Sequence, residues 1–323
     1  PVIYRLKSVG YHTELGETYS GHILQARAML TFIGGAAIFP LSILVLFLRK
    51  KADVLAGFIL LPPIIIWAGL YYAGQGKMTL VQGLQVALLA SAGCMLVYGF
   101  LARTIPAVIG EKGKDRSGGI FLLAWLASSL AIYLVCNIPY VSVRHLLLFF
   151  PPLVLVFMRE VEAAWSRHTR WRNGFIALTL LLTLAGGLAA AIADYRFAAI
   201  YPHLADDLKD KYGGAGKVWI RGEFGFRYYL EQAGFSILND KSDVKPGDIV
   251  MYSDFASSVI VAPWPKGNYK ELSRETPGDS FPFRIMNRAA GAGFYGNPMG
   301  PLPLAWSRDP LDVVIVYQFE GQV

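Results

Sequence analysis

Five stretches of this chain stay apolar for about the 20 residues that a helix needs to cross a bilayer: Ala28–Leu48, Val54–Ala73, Leu80–Ala102, Gly119–Ile138 and Phe175–Ala193. None of them contains Asp, Glu, Lys or Arg. These blocks set the composition: 54% of the 323 residues are apolar and 16% are charged. Soluble domains run at roughly 45–50% and about a quarter. A sixth stretch, His145–Met158, has 14 residues and carries Pro151 and Pro152. It reads as a short or tilted span, or as a re-entrant segment.

Loop charge decides between these two. Arg49, Lys50, Lys51, Arg103, Lys112, Lys114, Arg116, Arg159, Arg167, Arg170 and Arg172 lie in one set of connections, and only Lys77 and Arg144 in the other. That asymmetry obeys the positive-inside rule only if His145–Met158 crosses completely. The expected fold is therefore a polytopic α-helical membrane protein of about six transmembrane helices, spanning 28–193. An external juxtamembrane segment, 1–27, precedes it, and a small extracytoplasmic α/β domain, 194–323, follows. The expected location is the inner membrane, with the tail on the periplasmic side. Up to Ala193 the chain has 16 basic and 7 acidic residues; beyond it, 14 and 16. A basic surplus confined to loops between apolar runs is a topology signal, so nucleic acid is not an expected partner.

Small residues at Gly34-Gly35 and Gly186-Gly187 suggest close helix packing. Pro40 and Pro62-Pro63 should kink their helices. In the tail, a helix is expected over Asp194–Tyr212, stopped by Gly213-Gly214. Strands are expected at Lys217–Ile220, Ser236–Leu238, Asp248–Tyr252, Ser258–Ala262 and Val313–Phe319, with a helix at Phe224–Gln232. Neither a G-x-G-x-x-G after a strand nor a P-loop occurs, so a nucleotide is not indicated. Cys94 and Cys136 lie in apolar runs, and the five histidines never pair at ligand spacing. No cofactor is indicated; a divalent metal is not indicated either, although the sequence leaves one open. Serine-hydrolase, zinc-protease and kinase signatures are missing. The lack of ionisable residues within the five long runs argues against ion-coupled transport.

The most informative stretch is Asn137–Leu153, N-I-P-Y-V-S-V-R-H-L-L-L-F-F-P-P-L. It sets Arg144 and His145 at the outer mouth of a proline-bearing segment. Arginine suits a phosphate in a low-dielectric site, because its planar fork donates two parallel bonds and stays charged. Position alone leaves a second reading open, an interfacial arginine snorkelling to headgroups.

Arg144-His145, the leucines after them and Pro151-Pro152 resemble the R-Y-L-L-P…P-P-L element of GT-C glycosyltransferases, the protein mannosyltransferase and aminoarabinose transferase group. The tail segments Gly222–Gly234, Lys245–Val250, Gly293–Tyr295 and Gly300–Pro303 resemble the extracytoplasmic domain of bacterial members. The resemblance implies transfer of a sugar from a polyprenyl-phosphate donor to an envelope lipid, polysaccharide or protein, at the outer face of the bilayer. It also implies an acidic base in a first external loop. Family members usually have more than ten spans, so the chain is expected to be the back part of a longer protein, with that base upstream of Pro1. The catalytic residue is thus unknown here; within 1–27, Glu14 and Glu17 are acidic and on the expected outer face.

Under this resemblance Arg144 is the expected ligand of the lipid phosphate, with His145 beside it or at a helix interface. Glu223 and Arg227 are candidate substrate contacts, although their spacing of four also lets them pair with each other. Phe224, Tyr228 and Leu230 have the spacing of core residues. The Gly291–Pro303 loop, with Tyr295, is a candidate cover for an acceptor groove. The rival reading is a non-catalytic membrane-anchored module that binds a glycan or a partner protein.

Overall fold

The computed structural model describes residues 22–36, 79–110, 114–135, 141–164, 166, 169–259, 266–297 and 299–321. They divide into a helical unit, which runs to Ala191 and also takes in Ala290–Ala305, and an α/β unit formed by Ile192–Ala289 and the residues from Trp306 onward.

The helical unit contains α1 (His22–Ala36), α2 (Leu80–Gly110), α3 (Lys114–Val135), α4 (Phe150–Ala164) and the first part of α5 (Thr169–Tyr212). A reciprocal capping box opens α2. The Thr79 N–H donates to Gln82 Oε1 at 2.9 Å, and the Gln82 N–H donates to Thr79 Oγ1 at 3.2 Å, so two otherwise orphaned donors are satisfied. Glycines set the crossing of α1 and α2. A Cβ on Gly34 would lie 1.9 Å from the Leu89 carbonyl oxygen, and one on Gly93 would lie 2.0 Å from that of Leu30. Neither backbone leaves space for a side chain, which is how small residues let helices approach closely. Below the crossing, Phe32, Leu96, Phe100, Leu126, Phe149 and Phe157 form a buried core. Arg103 Nε meets Glu160 Oε2 at 3.0 Å and ties α2 to α4.

The six-span expectation is not what the structure shows. Among the described residues, two helices are long and apolar enough to cross a membrane, Leu80–Pro106 and Arg170–Tyr212. The stretch His145–Met158 is not a span. It is a 3-10 turn, Val143–Leu148, followed by the 15-residue α4. Pro151 and Pro152 explain the difference, since they sit in the first turn of α4, where a missing N–H is tolerated and a fixed φ favours helix. They start a helix there and leave the preceding residues in a tighter turn. At 1.5 Å per residue α4 is about 22 Å long, short of the roughly 30 Å hydrocarbon core. It also carries Arg159, Glu160 and Glu162. Without this crossing, the charge asymmetry no longer fixes a sidedness. The run Val54–Ala73, residues 37–48 of the first run, residues 136–138 of the fourth and the prolines at 40, 62 and 63 lie outside the described residues. At Gly187, a Cβ would meet nothing within 4 Å among the described residues.

In the α/β unit, β1 (Val218–Arg221), β2 (Ser236–Ile237), β3 (Ile249–Ser253), β4 (Asn268–Glu275) and β5 (Val314–Gly321) form a mixed sheet in the order β2-β1-β3-β5-β4. Strand β1 is parallel to β2 and β3, whereas β5 runs antiparallel to β3 and β4. Helix α6 (Phe224–Gln232) connects β1 to β2 and buries Phe226 and Leu230. A strand was expected at Ser258–Ala262; its first residues instead belong to a 3-10 turn, Ala256–Val259, and 260–265 lie outside the described residues. That turn is held by Ser253 Oγ, which accepts the Ala256 N–H at 2.8 Å. Asp312 joins the sheet to α5, since its carboxylate accepts from Ser253 Oγ at 2.6 Å and from Tyr201 Oη at 3.1 Å.

Candidate functional site

The 3-10 turn at Val143–Leu148 displays Arg144. Three residues per turn bring residues i and i+3 into line. Leu146 and Phe149 point inward, 0% and 1% exposed. On the outer side Arg144 is exposed, and Leu147 and Leu148 are 63% and 48% exposed. Helix α4 continues this apolar exposure at Leu155 and Met158, one turn apart. A guanidinium therefore heads an exposed apolar stripe.

The backbone on the N-terminal side of Arg144 is locked by a segment some 150 residues away in the chain. The Val141 N–H donates to Asn297 Oδ1 at 2.7 Å, and the Asn297 N–H donates back to the Val141 carbonyl at 2.9 Å. The Val143 N–H donates to the Phe294 carbonyl at 3.0 Å. Asn297 and Val141 are both buried. Beside them the Ser142 hydroxyl is buried with no hydrogen-bond partner among the described residues.

Glycines give this segment its shape. Gly291 has φ +71, a Cβ on Gly293 would lie 2.4 Å from the Gly300 carbonyl oxygen, and one on Gly300 would lie 2.1 Å from the Gly291 carbonyl carbon. The two arms are bonded by the Gly293 N–H to the Leu302 carbonyl and the Leu302 N–H to the Gly291 carbonyl. Ala290, Ala292, Leu302 and Ala305 pack on Val86 and Leu89 of α2, and Pro303 abuts Gly35 of α1.

Three of the five residues expected to touch substrate thus come together, namely Arg144, His145 and Tyr295, the neighbour of Phe294. His145 is half-buried. Burial, and then the adjacent Arg144 charge, push its imidazole below the ordinary histidine range, so it is neutral at pH 7 and the turn's charge rests on Arg144. Tyr295 is 42% exposed. Glu223 and Arg227 belong to the α/β unit. There Arg227 pairs along α6 with Glu223 at 3.1 Å and with Glu231 at 3.2 Å. Such exposed i,i+4 pairs contribute about 0.3–0.5 kcal/mol each and read as a solvated ladder on the helix. Glu14 and Glu17 lie outside the described residues.

Sequence reasoning missed Asn297 and Ser142. The one local signal for Asn297 is its place between Gly296 and Pro298, which marks a turn but names no partner. Comparison with protein-family models, curated proteins and solved structures finds no match to this chain.

Proposed function

We propose that the Arg144 turn binds the phosphate of a polyprenyl-phosphate sugar, and that the chain serves a membrane glycosyltransferase acting on an envelope lipid, glycan or protein at the outer face of the bilayer. The observation that carries this reading is an exposed arginine, on a turn whose backbone is held at Val141 and Val143, beside an exposed apolar stripe. A lipid phosphate has the same two parts, an anionic head and a hydrocarbon tail. The helices Leu80–Pro106 and Arg170–Tyr212 supply membrane anchorage in this reading.

The chemistry asks little of the protein at the leaving group. The bond between the anomeric carbon and the phosphate oxygen breaks, and its electron pair leaves on that oxygen. The acceptor hydroxyl forms the new glycosidic bond and gives its proton to a base. Arg144 neutralises charge that builds on the departing phosphate, and its fork can hold two oxygens at once. The neutral His145 adds a polar neighbour without competing for the anion.

The test is binding of undecaprenyl phosphate to the full chain in nanodiscs, followed by native mass spectrometry. Arg144→Ala should lose binding at least tenfold, the effect of about 1.4 kcal/mol. Arg144→Lys should fall between the two, since it keeps the charge and loses the fork. Unchanged binding by a folded Arg144→Ala variant would refute the phosphate role.

A further inference from the structure

Helix α5 leaves its apolar run at Ala193, and aromatic side chains gather just beyond that point. Tyr195 is 75% exposed. Phe197, two residues on, is buried and packs edge-on to Phe255 at 4.8 Å. The Phe255 ring lies 5.9 Å from that of Phe224, which is 58% exposed. Tyr228, one turn along α6 from Phe224, is 57% exposed.

Phe224 has φ +59, the one positive φ at a non-glycine residue among the described residues. A bulky side chain in that region costs on the order of 1–3 kcal/mol. Glycine would remove the strain, yet the chain holds an aromatic ring there and turns most of it outward. Among the described residues its ring contact is with Phe255, and more than half of its surface stays open to a partner.

The arrangement indicates which partner. Residues two apart on an α-helix point roughly 200° apart, so Tyr195 faces away from Phe197 and from the Phe255–Phe224 pair packed on it. Tyr195 and Phe197 therefore stand on opposite sides of α5 within about 3 Å of the same height, and the exposed Phe224 ring joins the Phe197 side through Phe255. A groove-binding partner would meet one side only, whereas a planar layer crossed by the helix meets both. The level is the end of an apolar run, where amphipathic and aromatic rings collect at a membrane interface.

We infer that Tyr195, Phe224 and Tyr228 form an interfacial collar that seats the α/β unit on the lipid headgroup layer where α5 leaves the hydrocarbon. The inference rests on the membrane reading of α5. The test uses the full chain with Cys94 and Cys136 replaced by Ala and with single cysteines introduced as Phe224→Cys, Tyr195→Cys or Leu184→Cys. Each is labelled with an environment-sensitive nitrobenzoxadiazole dye in nanodiscs of phosphatidylcholine and phosphatidylglycerol. The labels at 224 and 195 should shift to the blue and be quenched by lipid brominated near the headgroup. The label at 184 should be quenched by lipid brominated deep in the chain. Quenching at 184 with water-like emission at both 224 and 195 overturns the collar and leaves the membrane reading standing. Water-like emission at all three sites overturns both.

Discussion

Removing the Asn297 side chain tests whether the Arg144 turn is held from outside. In Asn297→Ala the Val141 N–H loses its 2.7 Å acceptor while remaining in a place where Val141 is 0% exposed. A buried donor left unpaired costs about 1–3 kcal/mol. If that cost falls on the latched state alone, the opening equilibrium of the Gly291–Pro303 segment rises about 5- to 150-fold. Hydrogen exchange of the intact protein reads this directly. The Val141 and Val143 amides, both bonded to that segment, should exchange faster by that factor. The Phe149 amide should not, because it bonds within the turn, to the Leu146 carbonyl at 2.8 Å. Donor binding weakens only in proportion to the fraction of molecules that open, so exchange is the sharper readout. Unchanged exchange at Val141 and Val143 would refute the claim that the Asn297 amide holds the turn.

Gly93→Ala should lower the melting temperature, because its Cβ would lie 2.0 Å from the Leu30 carbonyl and prying the helices apart costs about 1–3 kcal/mol or more. Gly187→Ala, at an open position, should leave it unchanged or raise it. Phe224→Gly should not destabilise the protein to heat, since about 1–3 kcal/mol of relieved strain offsets the lost ring contact and the added backbone entropy. A clear fall in melting temperature would refute the strain argument. Asp312 is held above the usual carboxylate range by burial, which outweighs its bonds from Ser253, the Phe255 and Val313 amides, and Tyr201. The folded state therefore binds the proton more tightly than the unfolded chain does. Its contribution is complete below the unfolded pKa and is lost as pH rises through the folded one. Melting curves from pH 4 to pH 8 should show the native protein losing stability relative to Asp312→Asn as pH rises; a difference that is flat or opposite in sign would refute this.

Several elements were legible because local pattern and tertiary burial agree. Helix α6 lies at Phe224–Gln232, where its spacing and Gly234 place it, and β1, β3 and β5 begin one residue from their expected starts. Their residues are largely buried, so continuous apolar runs mark them. Strand β4 was invisible for the opposite reason. Its Lys270, Glu271, Arg274 and Glu275 are the charges that protect a sheet edge, and they make it read as a loop. Loop charge misled because it obeyed the positive-inside rule only with His145–Met158 counted as a crossing, whereas Pro151 and Pro152 start a short helix there. Glycine pairs carried half of their signal: Gly34 does sit at a helix crossing, and Gly187 faces open space.

The candidate site shows why its charge was readable and its support was not. An arginine next to a leucine run is a local statement, and Arg144 could be singled out from its neighbours alone. What orients it is non-local. The Val141 and Val143 backbone groups find their partners at Asn297 and Phe294, and that segment is in turn shaped by contacts among Gly291, Gly293 and Gly300 and by packing on α2. Each support is a backbone bond or a missing Cβ, and neither leaves a periodic trace in a sequence. The Arg144 turn and residues 290–305 consequently act as one structural element, although the chain folds an α/β unit between them. A change at Gly300 should therefore reach Arg144 more directly than a change at Arg227, which sits in its own ladder on α6. Gly300→Ala should weaken phospholipid-donor binding where Arg227→Ala does not. Equal losses in the two would refute the claim that the clasp supports the Arg144 turn specifically.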